Sequence, residues 1–408
     1  MLRERGIGRA AEGEAPDLVV INTCSVTEMA DKKGRQLVRR LVREWPDATI
    51  VVTGCYAQLK PEEVAALPGV DIVLGSNEKL KISEYLDRWL DRKVQEVAVT
   101  PVREIREFMP SCERGDRTRW FLKVQDGCDY FCTYCTIPYA RGRSRSGTIE
   151  QIVGIARQVA AEGGKEIVLT GVNTGDFGRG TGETFIDLLR ALDRVEGIER
   201  YRISSIEPNL ITEEIIRWIA TEAKRFTPHF HIPLQAGSDR VLKLMNRRYD
   251  TELFRSRILL IRELIPHAFI GVDVIAGARG ETREEWLRGL DFIESLPVTR
   301  LHVFPYSERA GTAALKIDHN VPQEEKHRRV GVLTEVSDRK HRAFIDSHIG
   351  DTPRVLWEES RPSPLAPRPS KMHGFTENYI RVEAPYDPAL VNTVTELTLT
   401  PENISPEQ

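Results

Sequence analysis

The sequence predicts an α/β protein built from an N-terminal doubly wound α/β domain, a partial (βα)6 barrel and a small C-terminal all-β barrel. Three observations lead to this prediction. Short apolar runs typical of buried strands alternate with amphipathic helical segments in the first part of the chain. A longer series of the same kind fills the middle. Beyond residue 353, short strand-like runs at 353–357, 379–383 and 396–399 are separated by turn residues.

Length and composition indicate the domain count and the compartment. A chain of 408 residues suggests two or three domains, and we place them at 1–98, 118–349 and 350–408, with a linker over 99–117. The net charge of −3 gives no general affinity for nucleic acid, so RNA contacts would need local basic patches. No apolar run is long enough to span a membrane, and the first residues do not form a secretory signal. We therefore expect a cytoplasmic protein with no membrane partner, whose cysteines bind metal rather than form disulfides.

The N-terminal domain is predicted to contain three buried parallel strands and three helices. The strands cover 17–22, 49–53 and 70–74, and the helices cover 27–45, a segment that begins at Pro61, and 79–90. Cys24 and Cys55 each follow a strand, at the edge of the sheet where α/β domains bind ligands. Two interpretations stay open: the two thiols share a metal site, or they are buried and inert.

Two thiolates are too few to hold a metal cluster firmly, and a third would be expected after another strand of the same sheet. The chain opens at residues 2–6 with what looks like the end of a helix, and the strand that should come before it is absent. Cys112 lies in the linker, which lacks clear periodicity and contains Pro101 and Pro110. We expect Cys112 to be an exposed thiol.

Three cysteines at a C-x3-C-x2-C spacing, Cys128, Cys132 and Cys135, are the most informative feature of the sequence. Each thiolate can ligate one iron of a four-iron cubane cluster, which leaves the fourth iron open to a substrate or cofactor. A structural zinc site would need a fourth Cys or His nearby, and the next histidine is His229. A disulfide does not suit a chain without a secretory signal. The spacing therefore favours an iron–sulfur cluster with one open iron.

Six strands of βα type are predicted in the middle of the chain. They cover 121–125, 166–170, 200–204, 229–232, 268–275 and 300–304, fewer than the eight strands of a closed barrel. Capping boxes at Thr148/Gln151 and Thr282/Glu285 mark the starts of two helices, and a long polar helix covers 322–347. Active residues should lie at the carboxyl ends of the strands.

Several polar residues follow the predicted strands and are candidates for cofactor contacts. They are Gly171, Asn173, Ser205, Glu207 and Gln235. Simple turns and helix caps would explain the same residues. Asp273 lies inside an apolar strand, so it is either a functional group or a core polar group with a partner.

Two basic clusters are candidates for contacts with RNA phosphates. One follows the three-cysteine motif and the other lies on the first helix; they consist of Arg141, Arg143 and Arg145, and of Lys32, Lys33, Arg35, Arg39 and Arg40. A solvated surface is the commoner explanation of such clusters.

The three-cysteine motif resembles that of the radical S-adenosylmethionine (SAM) superfamily. The chain as a whole is similar to the methylthiotransferases within it, most closely to the branch that modifies N6-threonylcarbamoyladenosine beside the anticodon of tRNA. Five runs carry this resemblance: 20–27, 53–58, 138–142, 169–175 and 301–307. The run 169–175 is similar to the threonylcarbamoyladenosine branch in particular, and 374–379 looks like part of the RNA-binding TRAM barrel of the family.

The resemblance implies a fold, a reaction, cofactors and partners. The middle domain would be the radical SAM core and the last a TRAM-like barrel. The enzyme would insert sulfur and a methyl group at C2 of the adenine, using two [4Fe-4S] clusters and SAM. Cys128, Cys132 and Cys135 would hold the radical SAM cluster, with Tyr134 near the adenine of SAM. Cys24 and Cys55 would be two of three ligands of an auxiliary cluster that supplies the sulfur. The partners would be tRNA and an electron donor such as flavodoxin or ferredoxin.

Two departures from the family give rise to alternatives. The third auxiliary ligand has no counterpart in this sequence, so the start is placed too late or the chain is a truncated form. As written, we expect it to hold about four irons rather than about eight, and to cleave SAM with little sulfur insertion. Arg279 stands where the family has Pro, within 277–281. A ribosomal-protein methylthiotransferase is the alternative function.

Overall fold

The computed structural model describes residues 2, 5–11, 13–114, 118–359 and 370–406. Parts of the helix end predicted at 2–6, of the linker and of the C-terminal domain lie outside these residues. The chain forms two units. The first takes in Met1–Glu107, Gly127–Arg143 and Ser307–Lys316, and the second takes in Phe108–Asp126, Ser144–Tyr306 and Ile317–Gln408. The predicted domain boundaries stay predictions.

A four-stranded parallel sheet forms the centre of the first unit. Its strands, in both spatial and chain order, are β1 (Leu18–Thr23), β2 (Thr49–Gly54), β3 (Ile72–Leu74) and β4 (Glu96–Ala98). The helices are α1 (Glu28–Glu44), α2 (Cys55–Leu59), α3 (Pro61–Ala65), α4 (Ile82–Arg92) and α5 (Ile137–Arg141). Every residue of β2 is buried, as expected of a central parallel strand. The three predicted strands and the α/β character are confirmed; β4, which lacks an apolar run, was not predicted.

Six parallel strands of the second unit form the partial barrel. In chain order, the unit contains β5 (Ser111–Glu113), β6 (Trp120–Lys123), β7 (Gln125–Asp126), β8 (Arg145–Ser146), β9 (Glu166–Thr170), β10 (Arg200–Ile203), β11 (His229–His231), β12 (Phe269–Ala276) and β13 (Arg300–Pro305), followed by the C-terminal strands described below. The barrel strands are β6 and β9 to β13. Parallel pairing joins β6, β9 and β10 in one set and β11, β12 and β13 in another. A bridge between Tyr201 and Phe226 connects the two sets. The six predicted barrel strands are therefore confirmed.

Within the described residues of the second unit, seven helices accompany these strands. They are α6 (Ile149–Ala161), α7 (Phe185–Leu192), α8 (Glu213–Thr221), α9 (Asp239–Leu244), α10 (Thr251–Leu264), α11 (Arg283–Ser295) and α12 (Gln323–Asp346). The capping box of Thr148 and Gln151 is present at the start of α6. At α11, Thr282 accepts the backbone N–H of Glu285. Local sequence signals therefore placed both helix starts correctly.

The expectation that Cys112 is an exposed linker thiol is wrong. Cys112 is the middle residue of β5, which pairs antiparallel with β6 of the barrel sheet. Its side chain is partly buried, and burial raises the pKa of the thiol to about 12. A strand of three residues has too little sequence to show periodicity, and its place is decided by pairing with β6.

The C-terminal strands form one antiparallel sheet in the second unit. They are β14 (Arg354–Trp357), β15 (Lys371–Thr376), β16 (Arg381–Pro385) and β17 (Val394–Glu396), in the spatial order β16-β15-β14-β17. A small β domain was predicted here, and the sheet is consistent with it. The sequence missed β15, and the strand predicted at 396–399 is wrong, because β17 ends at Glu396.

A buried carboxylate lies at the start of the barrel sheet. Glu166, the first residue of β9, has no exposed surface. Its carboxylate lies 3.1 Å from Nε of Arg202 and 3.7 Å from Nη1 of Arg200. Burial raises the pKa of Glu166, but the charges of Arg202, Arg200 and Arg119 outweigh it and hold the pKa below its usual range.

The same arginines hold the C-terminal sheet. The Arg200 guanidinium donates from Nη1 to the backbone oxygen of Phe375 at 3.0 Å and from Nη2 to that of Arg354 at 2.7 Å. Nε of Arg119 donates to Glu358 at 2.7 Å. One charged cluster therefore binds the first residues of the barrel strands to β14 and β15.

Replacing Glu166 with Gln should destabilise the second unit by on the order of 3 kcal/mol, because buried guanidinium groups lose their counter-charge. The thermal unfolding midpoint and the urea midpoint both measure this. Glu294→Gln is the matched control, since Glu294 forms an ion pair with Arg339 on the surface and its loss should leave both midpoints unchanged. Equal midpoints for the two variants would contradict the prediction.

Candidate functional site

Cys24 and Cys55 lie at the same end of the parallel sheet of the first unit. Each directly follows its strand, β1 or β2, and β1 and β2 are neighbours. Gly54 has a φ of +100°, and a Cβ there would overlap the backbone oxygen of Thr23. Only glycine fits this close approach. Cys24 is exposed and Cys55 is buried.

Arg141, at the end of α5, contacts Cys55. Its Nε donates a hydrogen bond to Sγ of Cys55 at 3.2 Å. The hydroxyl of Ser76 donates to the backbone oxygen of Ala140 at 3.0 Å and fixes the end of the same helix. The sequence suggested that Arg141 binds RNA phosphates. In the structure its guanidinium contacts a sulfur of the same unit.

Two glycines close the three-cysteine loop. Gly127 has a φ of +74°, and a Cβ there would overlap the backbone oxygen of Arg143. The backbone N–H of Cys128 donates to the oxygen of Gly142 at 3.0 Å. The residues on either side of the loop therefore meet, and the three cysteines lie on the enclosed turn.

The donor set of this loop fits an iron–sulfur cluster. The backbone N–H groups of Tyr130 and Ile137 donate to Sγ of Cys128 and Cys135, each at 3.4 Å. Such bonds stabilise negative charge on sulfur and help set the potential of clusters. In the part of the chain that the structure describes, no three His, Cys, Asp or Glu side chains are grouped to hold a metal ion. A cubane does not require its ligands to converge on one ion, because each thiolate ligates a separate iron.

A buried polar network connects the segments that follow Cys24 and Cys135. Asp31 is 1% exposed and accepts hydrogen bonds from Oγ of Ser25 at 2.6 Å and from Nη2 of Arg309 at 2.9 Å. The hydroxyl of Thr136 donates to the backbone oxygen of Ser25 at 3.2 Å. No local signal in the sequence reveals this network, because Ser25 and Arg309 are far apart in the chain.

Gln125 organises the loop that follows β9 in the second unit. Its Oε1 accepts the backbone N–H groups of Val172 and Asn173 at 3.0 Å and 2.8 Å, and its Nε2 donates to Oγ of Ser144 at 3.0 Å. A Cβ at Gly171 would press on the same Oε1. Gly171 therefore leaves room for the side chain of Gln125, a residue that the sequence analysis missed.

Asn173 carries a buried side-chain amide that lacks a hydrogen-bond partner among the described residues. The residue is 3% exposed, and neither Oδ1 nor Nδ2 has a protein partner. Unsatisfied buried amides are unfavourable by about 1–3 kcal/mol and usually indicate a ligand or water. The candidate role of Asn173 in cofactor binding agrees with this geometry.

The other candidates of the second unit have partners of their own. The backbone oxygen of Ser205 accepts the hydroxyl of Thr174 at 2.5 Å. Glu207 forms an ion pair with Arg247; burial raises the pKa of its carboxyl, and Arg247 opposes that rise. Gln235 has a φ of +67°, a conformation that non-glycine residues rarely adopt and that often accompanies function. Their roles stay predictions.

Asp273 has a hydrogen-bond partner, and whether it also has a function stays a prediction. Its Oδ1 lies 2.7 Å from Nε2 of His231, which faces it from the neighbouring strand β11. Arg279, which departs from the family pattern, donates from Nη1 to the backbone oxygen of Ile317 at 3.1 Å. This hydrogen bond therefore restrains the loop at 277–281, where the family's proline would restrict the backbone instead.

The arginines after the three-cysteine motif differ in exposure and in their partners. Arg145 has a side chain only 13% exposed and lies 3.5 Å from Asp126. Arg143 is 67% exposed, with Asp129 at 3.5 Å. Together with the contact of Arg141 to sulfur, this leaves Arg143 as the exposed member of the predicted cluster. The joint RNA-binding role of the three stays a prediction.

The second basic cluster, on α1, is mostly solvent-facing. Lys32, Lys33, Arg39 and Arg40 are exposed. Arg35 instead donates to Glu63 at 2.9 Å and to the hydroxyl of Tyr56 at 3.1 Å. Four of the five cations are therefore available to a phosphate backbone.

Among the helices in the described ranges, none is long and apolar enough to cross a membrane.

Two family profiles match this chain. The profile described as "Radical SAM superfamily" matches residues 122–293, and "Uncharacterized protein family UPF0004" matches residues 1–75. The first range contains the three-cysteine loop, Gln125 and Asn173. The second contains Cys24 and Cys55.

Relatives and a solved structure agree with these profiles. The threonylcarbamoyladenosine tRNA methylthiotransferase MtaB of Bacillus subtilis (strain 168) is 39% identical over 94% of this chain and 85% of its own. The enzyme of that name from Aquifex aeolicus (strain VF5) is 38% identical over 90% of this chain and 87% of its own. One solved structure with a similar fold is the radical S-adenosylmethionine methyltransferase TsrM from Kitasatospora setae, with cobalamin and a [4Fe-4S] cluster bound. The similar region includes 72% of this chain and 64% of the TsrM chain, with a TM-score of 0.53 and 17% sequence identity. That likeness supports the fold.

Replacing Gln125 with Leu should loosen the loop after β9. Val172 and Asn173 would lose the acceptor of their backbone N–H groups, at a cost of about 1–3 kcal/mol for each buried donor. Hydrogen–deuterium exchange in peptides that span 170–176 should become at least about tenfold faster. Gln158→Leu is the control, because the side chain of Gln158 lies on the surface of α6, where it donates to exposed Glu162. Unchanged exchange in the Gln125 variant would disprove its role.

Proposed function

Since the chain belongs to the family of threonylcarbamoyladenosine tRNA methylthiotransferases, within the radical SAM superfamily, we propose that it attaches a methylthio group to C2 of the adenine in that tRNA nucleoside. The observation that carries the proposal is 39% identity to the Bacillus subtilis enzyme over 94% of the chain. Both relatives described above are tRNA enzymes by name. This favours tRNA over the alternative ribosomal-protein substrate.

The cofactors are a [4Fe-4S] cluster and SAM. When bound and reduced, they supply an adenosyl radical that can remove hydrogen from an unactivated carbon. We assign Cys128, Cys132 and Cys135 as the cluster ligands. Support comes from their spacing, from the enclosed loop and from the backbone N–H bonds to two of the sulfurs. Buried Tyr130 and partly buried Tyr134 pack the loop and would limit the access of water.

Asn173 is assigned to SAM binding in this proposal. Its amide can both donate and accept, as the amino and carboxylate groups or the ribose of SAM require. Gln125 holds the backbone on which Asn173 stands, so the amide is positioned before the cofactor arrives. Gly171, Ser205, Glu207 and Gln235 remain candidates around the same strand ends.

Cys24 and Cys55 are assigned to a second cluster, the source of sulfur in this proposal. They share one end of the sheet, and Arg141 donates to the sulfur of Cys55. Hydrogen bonds to ligating sulfur raise the reduction potential of a cluster. Cys112, which lies in β5 of the barrel sheet, is given no ligand role in this proposal.

The remaining partners follow from the reaction. The substrate tRNA would meet Arg143 and the four exposed cations of α1 through its phosphates. Reduction of the cluster needs an electron donor, for which we propose flavodoxin or ferredoxin. Both donors and tRNA are found in the cytoplasm, which we propose as the location.

Deleting the gene should remove the 2-methylthio form of threonylcarbamoyladenosine from tRNA and leave the unmethylthiolated nucleoside in its place. Mass spectrometry of digested tRNA measures both forms. Complementation with the intact gene is the control. An unchanged nucleoside profile, together with an altered ribosomal-protein mass, would favour the alternative substrate instead.

Replacing Cys132 with Ala should abolish formation of 5′-deoxyadenosine and lower the iron bound after anaerobic reconstitution, because three thiolates are already the minimum for a cluster with one open iron. Cys112→Ala is the matched control, since Cys112 lies in a strand and is assigned no ligand role. SAM cleavage by the Cys132 variant at a rate near that of the wild type would refute the ligand assignment.

A further inference from the structure

Two aromatic rings are exposed side by side in the first unit, within the segment that carries the three cysteines. Phe131 is 40% exposed and Tyr139 is 50% exposed. Their ring centres are 6.0 Å apart, and the rings are nearly perpendicular at 79°. Single exposed apolar residues are normal, but a contacting pair of large rings indicates an interaction site.

The backbone holds Phe131 outward against its own preference. Its φ is +49°, a value that is unfavourable by about 1–2 kcal/mol for a residue with a side chain. The neighbours on both sides are buried, Tyr130 at 3% exposure and Cys132 at 9%. Burying these two residues leaves the ring between them directed to solvent. Strain maintained in this way is typical of functional positions.

A cation completes the surface. The guanidinium carbon of Arg143 lies 5.6 Å from the ring centre of Phe131, and the side chain is 67% exposed. Asp129 lies 3.5 Å from Nη1 of Arg143 and orients it. We call Phe131, Tyr139 and Arg143 the aromatic platform.

We propose that the aromatic platform stacks an unpaired nucleobase of the tRNA anticodon loop, next to the target adenosine, and that Arg143 contacts a phosphate of that nucleotide. This inference rests on the proposed function, which makes a single-stranded RNA loop the substrate. Enzymes that act on the edge of a base take that base out of its stack. The neighbouring base then lacks a stacking partner, and an aromatic ring replaces it.

The composition of the platform favours RNA over other partners. Flat rings match the faces of bases, and every base has such a face. Arginine adds a cation that contacts phosphate and can also stack. Two rings and one arginine therefore suit a nucleotide, with faces for the base and a cation for the phosphate.

The test measures binding of the reconstituted full chain, kept anaerobic, to a fluorescent anticodon stem-loop that carries threonylcarbamoyladenosine. Phe131→Leu and Tyr139→Leu remove one ring each and should weaken binding about 5- to 100-fold. Phe131→Tyr and Tyr139→Phe keep the rings and should bind like the wild type. Iron content after reconstitution shows whether each variant retains an intact cysteine loop. If Phe131→Leu loses iron, the affinity of Tyr139→Leu alone tests the stacking proposal.

Two further comparisons separate stacking from charge and from general stickiness. Arg143→Gln should lower the slope of log affinity against log salt by about one, whereas Tyr139→Leu should leave the slope unchanged. Leu90→Ala removes an equally exposed apolar side chain of the same unit, 57% exposed on α4, and should not change affinity. The wild type should bind a stem-loop with an abasic site beside the target more weakly than the intact stem-loop. Tyr139→Leu should bind the abasic stem-loop with the same affinity as the wild type does.

The outcomes distinguish this inference from the function on which it rests. Absence of binding by the wild type to the stem-loop would refute the proposed function. Tight binding by the wild type, with equal affinity for both leucine variants, would overturn the aromatic platform and leave the function intact. Equal loss with the abasic and the intact RNA would show that the rings do not receive that base.

Discussion

The buried carboxylate of Glu166 is the interaction on which the second unit depends. A charge without exposed surface is tolerated only beside opposite charges, and three arginines meet this requirement. Two of them begin or lie within β10, next to β9, and Arg200 and Arg119 also bind the C-terminal sheet. The arginines that balance the charge of Glu166 therefore also connect β9 to β10 and both to the C-terminal sheet.

The other end of β9 has the opposite character. At its first residue the carboxylate of Glu166 lies beside two guanidinium groups, whereas after its last residue the side-chain amide of Asn173 is buried without a hydrogen-bond partner among the described residues. Gln125 uses its side chain to fix the backbone there and leaves the Asn173 side chain unsatisfied. A strand that is rigidly held at one end can keep an unsatisfied group at the other, which is the arrangement that prepares a binding site.

Sequence alone predicted the features that local pattern decides. The spacing of Cys128, Cys132 and Cys135, the cap at Thr148 and the six barrel strands all depend on residues close together in the chain. Features decided by distant pairing were missed or wrong. Cys112 is ordered by β6, β15 by its neighbours in the sheet, and Gln125 by a loop that lies far along the chain. No periodicity carries such information, because each partner lies outside the window in which a pattern can be recognised.

The arginines at 141, 143 and 145 show why proximity in sequence is a poor guide to a binding surface. One donates to a sulfur, one is exposed beside a ring and one lies against a carboxylate. Only an exposed cation can exchange its counterions for RNA phosphates. With Arg141 bonded to sulfur and Arg145 largely buried, Arg143 and the exposed cations of α1 are the groups that meet phosphate in the proposed function. In the proposal above, contacts that do not depend on charge add to those of the cations, and the exposed rings of Phe131 and Tyr139 can provide them.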